Sequence, residues 1–399
     1  KHTPKPWYRL DLSAIVYPTL QRRDFSSVYR LSVLLKDPVQ PDILQQAVDI
    51  AMKRFPTYHS AMRKGFFWRY LEPNTRPGPF VKPDIRNFCM PMPFKSNNRY
   101  LVRFYWYDRR ISLEAHHSLG DGTGGMYLLQ TVTAVYLRLL GHEISNGGFV
   151  LDVNETPDPE EFEDAYMRYA NARVCPPRPA EKTYRVRGTQ EPFYTLNVID
   201  GIMSVSAVQK VAKQYQASIT EYLNAVLLYS LLQKQEHDFH LRLRPVRIAM
   251  PVNLRRFFPS KTLRNFITMV YPSIDPRLGD YTFEEIVTQV HHYMRLHVNP
   301  QEMRAVFTRN VRYTSNLFLQ LIPRLLKNPV MALGYRIAGV RPYSGTYTNP
   351  GAFTVPPEMA PHIQRMEVIL GQATNPRVHC ASISYGDIME ITFAGTLKE

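Results

Sequence analysis

The residues whose types and spacing could do chemistry are concentrated in His116-His117-Ser118-Leu119-Gly120-Asp121-Gly122, followed by Thr123-Gly124-Gly125. Imidazole is the side chain whose proton comes and goes near neutral pH, and here two of them stand shortly before a carboxylate. The doublet ends the run Arg110-Ile111-Ser112-Leu113-Glu114-Ala115, whose apolar and polar residues alternate as in a strand. Successive strand side chains point to opposite faces, so His117 shares a face with Ile111, Leu113 and Ala115, and His116 with Ser112 and Glu114. His117 is therefore expected to point inward. An isolated inward histidine is more often packing than chemistry, but this one is followed by Gly120, Gly122, Gly124 and Gly125. Such residues let backbone approach backbone or ligand closely. Asp121 places a carboxylate where the strand ends and a helix can begin.

The elements around this loop follow from periodicity. Met126, Leu129, Val132, Val135, Tyr136 and Leu139 recur at helical spacing, which predicts a helix of about four turns with its amino end at the loop. Free N–H groups there could favour negative charge near His117, or could serve only to cap the turn. Upstream, strands are expected at Val28–Leu35, Phe66–Leu71 and Arg99–Tyr107, with a helix from Pro41 to Met52 and a turn at Asp108-Arg109. From Asn154 to Pro192, prolines and acidic residues weaken the periodicity, and this stretch reads as a connection with a short helix around Phe162–Tyr169.

Beyond it, a strand at Phe193–Val205 leads to a helix capped by Ser206, then an apolar helix at Ile219–Lys234 and strands at Val246–Val252 and Phe266–Ile274. Thr282 opens a helix that carries His291-His292, a doublet without the following Asp-Gly and assigned to a helix surface. A helix near Leu317–Leu326 is open to kinking or shortening at Pro323. Strands at Arg336–Val340 and Arg365–Leu370 precede a hairpin of His379–Tyr385 and Met389–Ala394 turning at Gly386-Asp387.

Length and composition bound the class. A chain of 399 residues suggests two domains, and 44% hydrophobic with 12% aromatic residues indicates a packed protein. The net charge of +15 favours anionic partners. The basic residues are scattered, and the densest patch, His240–Arg247, alternates as a strand would, so nucleic-acid binding is not expected. Cys89, Cys175 and Cys380 show no metal-ligand spacing, so no metal is expected and a reduced cytoplasmic setting is the simplest reading. No run is long and apolar enough to cross a membrane, and the amino end lacks the pattern of a signal peptide, although it begins at Lys1 without Met.

The motif His116-His117-x-x-x-Asp121-Gly122 resembles the signature of the chloramphenicol acetyltransferase-like superfamily, which includes condensation domains and alcohol acetyltransferases. Two further segments are similar to that family: Pro251-Val252-Asn253-Leu254-Arg255-Arg256 with Lys261-Thr262-Leu263-Arg264-Asn265-Phe266, and Thr348-Asn349-Pro350-Gly351. The resemblance is nearest to the alcohol acetyltransferase and condensation-domain branch. It lacks the Asp-Phe-Gly-Trp-Gly stretch of the plant branch, which leaves the donor-side contacts unassigned.

The resemblance implies an α/β fold of two chloramphenicol acetyltransferase-like domains, residues 1–175 and 176–399. Each would be a mixed sheet with helices, the two related by a pseudo-twofold with an interdomain channel. It implies that His117 is the catalytic base, supported by His116 and by Gly122 in the loop, and that Asp121 is structural, paired with Arg255. Lys261 and Arg264 are candidates for holding an anionic donor, with ordinary solvated charge as the alternative; Thr348 and Asn349 would line the channel. The implied activity is acyl transfer, acetyl among the candidates, from a coenzyme A thioester to an alcohol or amine without an acyl-enzyme. An acyl carrier phosphopantetheine is the other donor, and an acidic carrier protein then the partner. The competing readings are a carrier-dependent condensation domain and a binding protein that kept the fold. A monomer without a resident cofactor is expected.

Overall fold

The computed structural model describes residues 7–21, 25–172, 181–238, 242–334, 343–373 and 377–398, so the strand expected at Arg336–Val340, Cys175 and His240 lie outside the described residues. The first half forms β1 (Tyr8–Arg9), α1 (Tyr17–Leu20), β2 (Val28–Leu35), α2 (Pro41–Ala51), β3 (Ser60–Lys64), β4 (Arg69–Pro73), β5 (Val81–Pro83), β6 (Val102–Tyr107), β7 (Arg110–His116), α3 (Gly122–Leu139) and α4 (Ala165–Tyr169). The second half continues with β8 (Asn197–Ser204), α5 (Val205–Gln214), α6 (Ile219–His237), β9 (Val246–Asn253), β10 (Ile267–Val270) and β11 (Ser273–Ile274). It closes with α7 (Phe283–His297), α8 (Pro300–Ser315), α9 (Leu317–Leu321), α10 (Arg324–Gly334), β12 (Gly345–Ala352), β13 (Ile363–Leu370), β14 (Val378–Tyr385) and β15 (Ile388–Gly395).

Two large mixed sheets carry the architecture. One runs β13-β2-β7-β6-β5, antiparallel except for the β5–β6 pair; the other runs β10-β9-β12-β14-β15-β8, with β12 parallel to both its neighbours and β11 paired to β9. A small sheet, β1-β4-β3, completes the first half. Buried apolar side chains form two clusters, one around α2, α3 and β2 and one around α6, α7 and β9. The clusters do not follow a single cut in the sequence: α4 packs on α8 with its Ala165 and Tyr166 in the second cluster, and α10 packs on α1 with its Met331 against the first. β13 crosses back and pairs with β2, setting Val368 opposite Leu31, and its Met366 and Val368 enter the first cluster.

Several local expectations are corrected by turn chemistry and capping. Phe66 and Phe67 occupy the β3–β4 turn and not a strand, because Gly65 donates to the Trp68 carbonyl at 2.8 Å, an approach a Cβ at that glycine would block. The helix after β8 is capped by Ser204, whose Oγ accepts from Ala207 N, while Ser206 is engaged with Asp387. Of the two effects expected of Pro323, the helix is shortened, ending at Leu321 and leaving α10 to start at Arg324. The helix α8 was not anticipated; its apolar positions Met303, Phe307 and Val311 are spaced by one turn but lie between basic residues. Of the patch expected as a strand at His240–Arg247, the described residues 242–245 are not strand and β9 begins at Val246.

Candidate active site

β2 and β7 run antiparallel and end together, with Val28 opposite His116. Where the ladder stops, His117 N donates to the Ser27 carbonyl at 2.9 Å and the His117 carbonyl accepts from Asn265 Nδ2 at 2.8 Å, so the backbone of this one residue is tied on both sides. Its ring lies between Tyr17, stacked at a centroid distance of 4.8 Å, and Tyr29 at 4.7 Å. Nδ1 is buried without a hydrogen-bond partner among the described residues, which leaves Nε2 as the ring nitrogen available to a ligand. Burial pushes the imidazole down to about 4, against an opposing pull from the Asp121 carboxylate, so the ring is neutral at pH 7.

His116 lies on the other face, as alternation predicts, but that face is buried too. Ser112 and Glu114 are sealed beneath the segment 84–94, where Arg30 pairs with Asp84 and Glu114 and lies against the Phe88 ring. His116 packs edge-on to Phe94, and its Nδ1 accepts from Ser118 N at 3.1 Å. Burial, with a smaller push from His117, lowers its pKa to about 3. The neutral ring thus shapes the loop that follows His117.

Asp121 caps α3 by accepting from Thr123 N and Gly124 N through Oδ1, and its Oδ2 accepts from Phe266 N at 2.9 Å. Arg255 donates to the same carboxylate at 2.8 and 3.4 Å and also reaches the Thr262 and Arg264 carbonyls. The pair expected from the sequence is therefore formed. Two of the helix amides, Thr123 N and Gly124 N, are thus occupied by the cap. The glycines divide by role. A Cβ at Gly120 or Gly124 would meet the Leu263 carbonyl at 2.4 or 2.0 Å, whereas one at Gly122 would meet nothing within 4 Å. Gly120 and Gly124 allow the second half to close on the loop, and Gly122 keeps open the space beside His117.

That space is a cavity of about 240 Å³ with walls from both large sheets. His117, Gly122 and Thr123 form one side; Asn253 of β9, Thr348 and Asn349 of β12 and His379 of β14 contribute to the other. A bulge between Thr348 and Gly351 turns β12 at this point, and Asn349 is fixed by a bond to Thr220 Oγ1 at 3.1 Å. Thr346 Oγ1 lies 2.5 Å from His379 Nδ1.

Lys261 and Arg264 are not on this wall. Lys261 is exposed and pairs with Asp158, and Arg264 is buried with its guanidinium on the Arg9 carbonyl and 3.5 Å from Asp11. Tyr17, Tyr29, Asn265 and His379 were not picked out as site residues. Asn265 had a signal in its segment, whereas the tyrosines carried none, because their partners are remote in sequence. Among the described residues no cluster of His, Cys, Asp or Glu is placed to hold a metal, and no helix is long and apolar enough to cross a membrane.

Two mixed sheets meeting at a channel, with a His-His-x-x-x-Asp-Gly loop tied across it, give the chain the fold of the chloramphenicol acetyltransferase-like and condensation-domain structures. Polyketide synthase associated protein 5 from Mycobacterium tuberculosis is similar at a TM-score of 0.59 and 14% identity, over 100% of this chain and 95% of that one. The trichothecene 15-O-acetyltransferase TRI3 from Fusarium sporotrichioides is similar at 0.62 and 12%, over 98% and 90%. The starter condensation domain of rhizomide synthetase RzmA, solved in complex with C8-CoA, is similar at 0.58 and 12%, over 98% and 89%. No family profile and no curated protein sequence matches the chain.

Proposed function

We propose that this chain is an acyltransferase that moves an acyl group from a coenzyme A thioester to an alcohol or amine by direct general-base catalysis at His117. The observation that carries the reading is a neutral imidazole, fixed by its own backbone and two tyrosines, with Nε2 the nitrogen left for the cavity. In the reaction the acceptor O–H or N–H gives its proton to Nε2 as the oxygen or nitrogen attacks the thioester carbonyl. The imidazolium then returns the proton to the departing sulfur, and free thiol leaves. No covalent enzyme intermediate is invoked. Ser118 is fully buried away from the cavity, and burial raises the pKa of both Cys89 and Cys380. Asp121 and Arg255 hold the loop and take no proton.

Support for the donor comes from the similarity to a condensation domain bound to C8-CoA. The same similarity favours a second reading, condensation from a carrier-bound thioester, since coenzyme A and a carrier present the same phosphopantetheine thiol. An acyl-thioester panel against alcohols and amines, read by thiol release with and without an acyl carrier protein, separates the two. His117→Ala should lower turnover by about 10²- to 10⁴-fold with the melting temperature retained. Near-normal turnover in that folded variant refutes the mechanism, and no thiol release from any donor by the wild type would favour a binding protein.

A further inference from the structure

Beyond the cavity, an exposed apolar surface on α9, α10 and the β3–β4 turn has no role in the site. Leu317, Phe318, Leu325, Leu326 and Val330 on the helices and Phe66 at the turn are each between 66% and 83% exposed. The two parts form one surface. Arg324 N donates to the Phe66 carbonyl at 3.0 Å, and Lys327 lies over the Trp68 ring with its Nζ 3.4 Å from the Phe67 carbonyl. A patch of this kind marks an interaction site in a folded protein.

The charge beside it has one sign. From Met303 to Gly334 the described residues include Arg304, Arg309, Arg312, Arg324 and Lys327 and no acidic residue. Arg309, Arg312 and Arg324 make no ion pair among the described residues, and Arg312 is exposed. The recess lined by Phe67, Arg324 and Met331 measures about 10 Å³, too small to seat a partner's side chain, whereas protein interfaces concentrate their energy where anchors fill pockets. Projecting aliphatic and aromatic side chains with a cationic surround match the acyl and headgroup layers of an anionic bilayer.

We propose that α9, α10 and the β3–β4 turn form a docking platform for an anionic phospholipid surface, on which the protein lies without crossing it. The platform is one element from the cavity, since α10 packs on α1 and Tyr17 of α1 stacks on His117. Docking would therefore set a lipid surface near the site that takes the acyl donor and acceptor. The proposal does not require turnover and stands apart from the catalytic reading.

Co-sedimentation of the full chain with phosphatidylcholine vesicles, with and without phosphatidylserine, tests it. Phosphatidylserine should raise the bound fraction by about tenfold or more, and added salt should reverse the gain. Phe318→Asp with Leu325→Asp should lose vesicle binding by about tenfold or more while keeping its melting temperature and its thiol release on a water-soluble donor. Should that variant fail to fold, Arg312→Glu, at an exposed side chain, makes the same comparison with the charge alone. The proposal is overturned if the wild type ignores anionic vesicles, binds neutral ones equally, or binds as well with the aspartates in place. It is also overturned if the patch instead makes the chain dimerise or capture an acidic carrier protein with no vesicle binding.

Discussion

Removing the Asp121 carboxylate asks whether the histidine loop is held by the other half of the molecule. Asp121→Ala deletes the cap on Thr123 N and Gly124 N, worth about 1 kcal/mol, and orphans the buried Phe266 N–H at about 1–3 kcal/mol. It also strands Arg255, for which an uncompensated buried charge costs about 3–5 kcal/mol. Arg255 retains the Thr262 and Arg264 carbonyls, so the lower end applies and the total is about 5 kcal/mol. Arg255→Ala should cost less, about 3 kcal/mol, because three backbone N–H groups still solvate Asp121. In the double variant neither charge is stranded, and its cost should fall about 2 kcal/mol short of the sum. Urea unfolding with linear extrapolation measures all four proteins, and Asp121→Asn, which keeps an acceptor for the helix amides, stands in if the alanine variant does not fold. Additivity within about 0.5 kcal/mol would refute the clamp.

The glycines should separate in the same assay. Gly124→Ala, whose Cβ would lie 2.0 Å from the Leu263 carbonyl, should destabilise by about 3 kcal/mol, whereas Gly122→Ala should stay within about 0.5 kcal/mol and change only substrate KM. Equal effects on stability would contradict the division. Acid sensitivity follows from His116 and His117, whose folded pKa values of about 3 and 4 lie below the ordinary 6.5. As pH falls through 6.5 the unfolded chain takes up the protons first, so stability is lost down to about pH 3–4 at up to about 1.4 kcal/mol per unit for each ring. His116→Gln should have the shallower stability curve over that range, and curves of equal slope would refute the assignment. Lys261→Ala should leave the donor KM unchanged, since Lys261 pairs with Asp158 away from the cavity; a raised KM would return it to the donor site.

What could be read in the sequence was whatever local periodicity or one short motif controls. β2, β7 and α3 follow from alternation and helical spacing, and the Asp121–Arg255 contact was available only because both residues sit in recognisable segments. Basic residues near Arg255 looked alike in sequence, yet Arg264 is drawn inward by Asp11 and Lys261 outward by Asp158, acids that no spacing rule connects to them. The return of β13 to β2 was hidden for the same reason, because an eight-residue strand of mixed polar and apolar residues fits either sheet until its neighbours are known. The site depends on such remote contacts. Asn265 holds the His117 carbonyl across 148 positions and Arg255 holds Asp121 across 134. Both clamps come from the one segment, residues 253–266, whose Leu263 carbonyl presses on Gly120 and Gly124. The geometry that fixes the His117 backbone and opens the cavity beside it therefore requires both halves to be folded together.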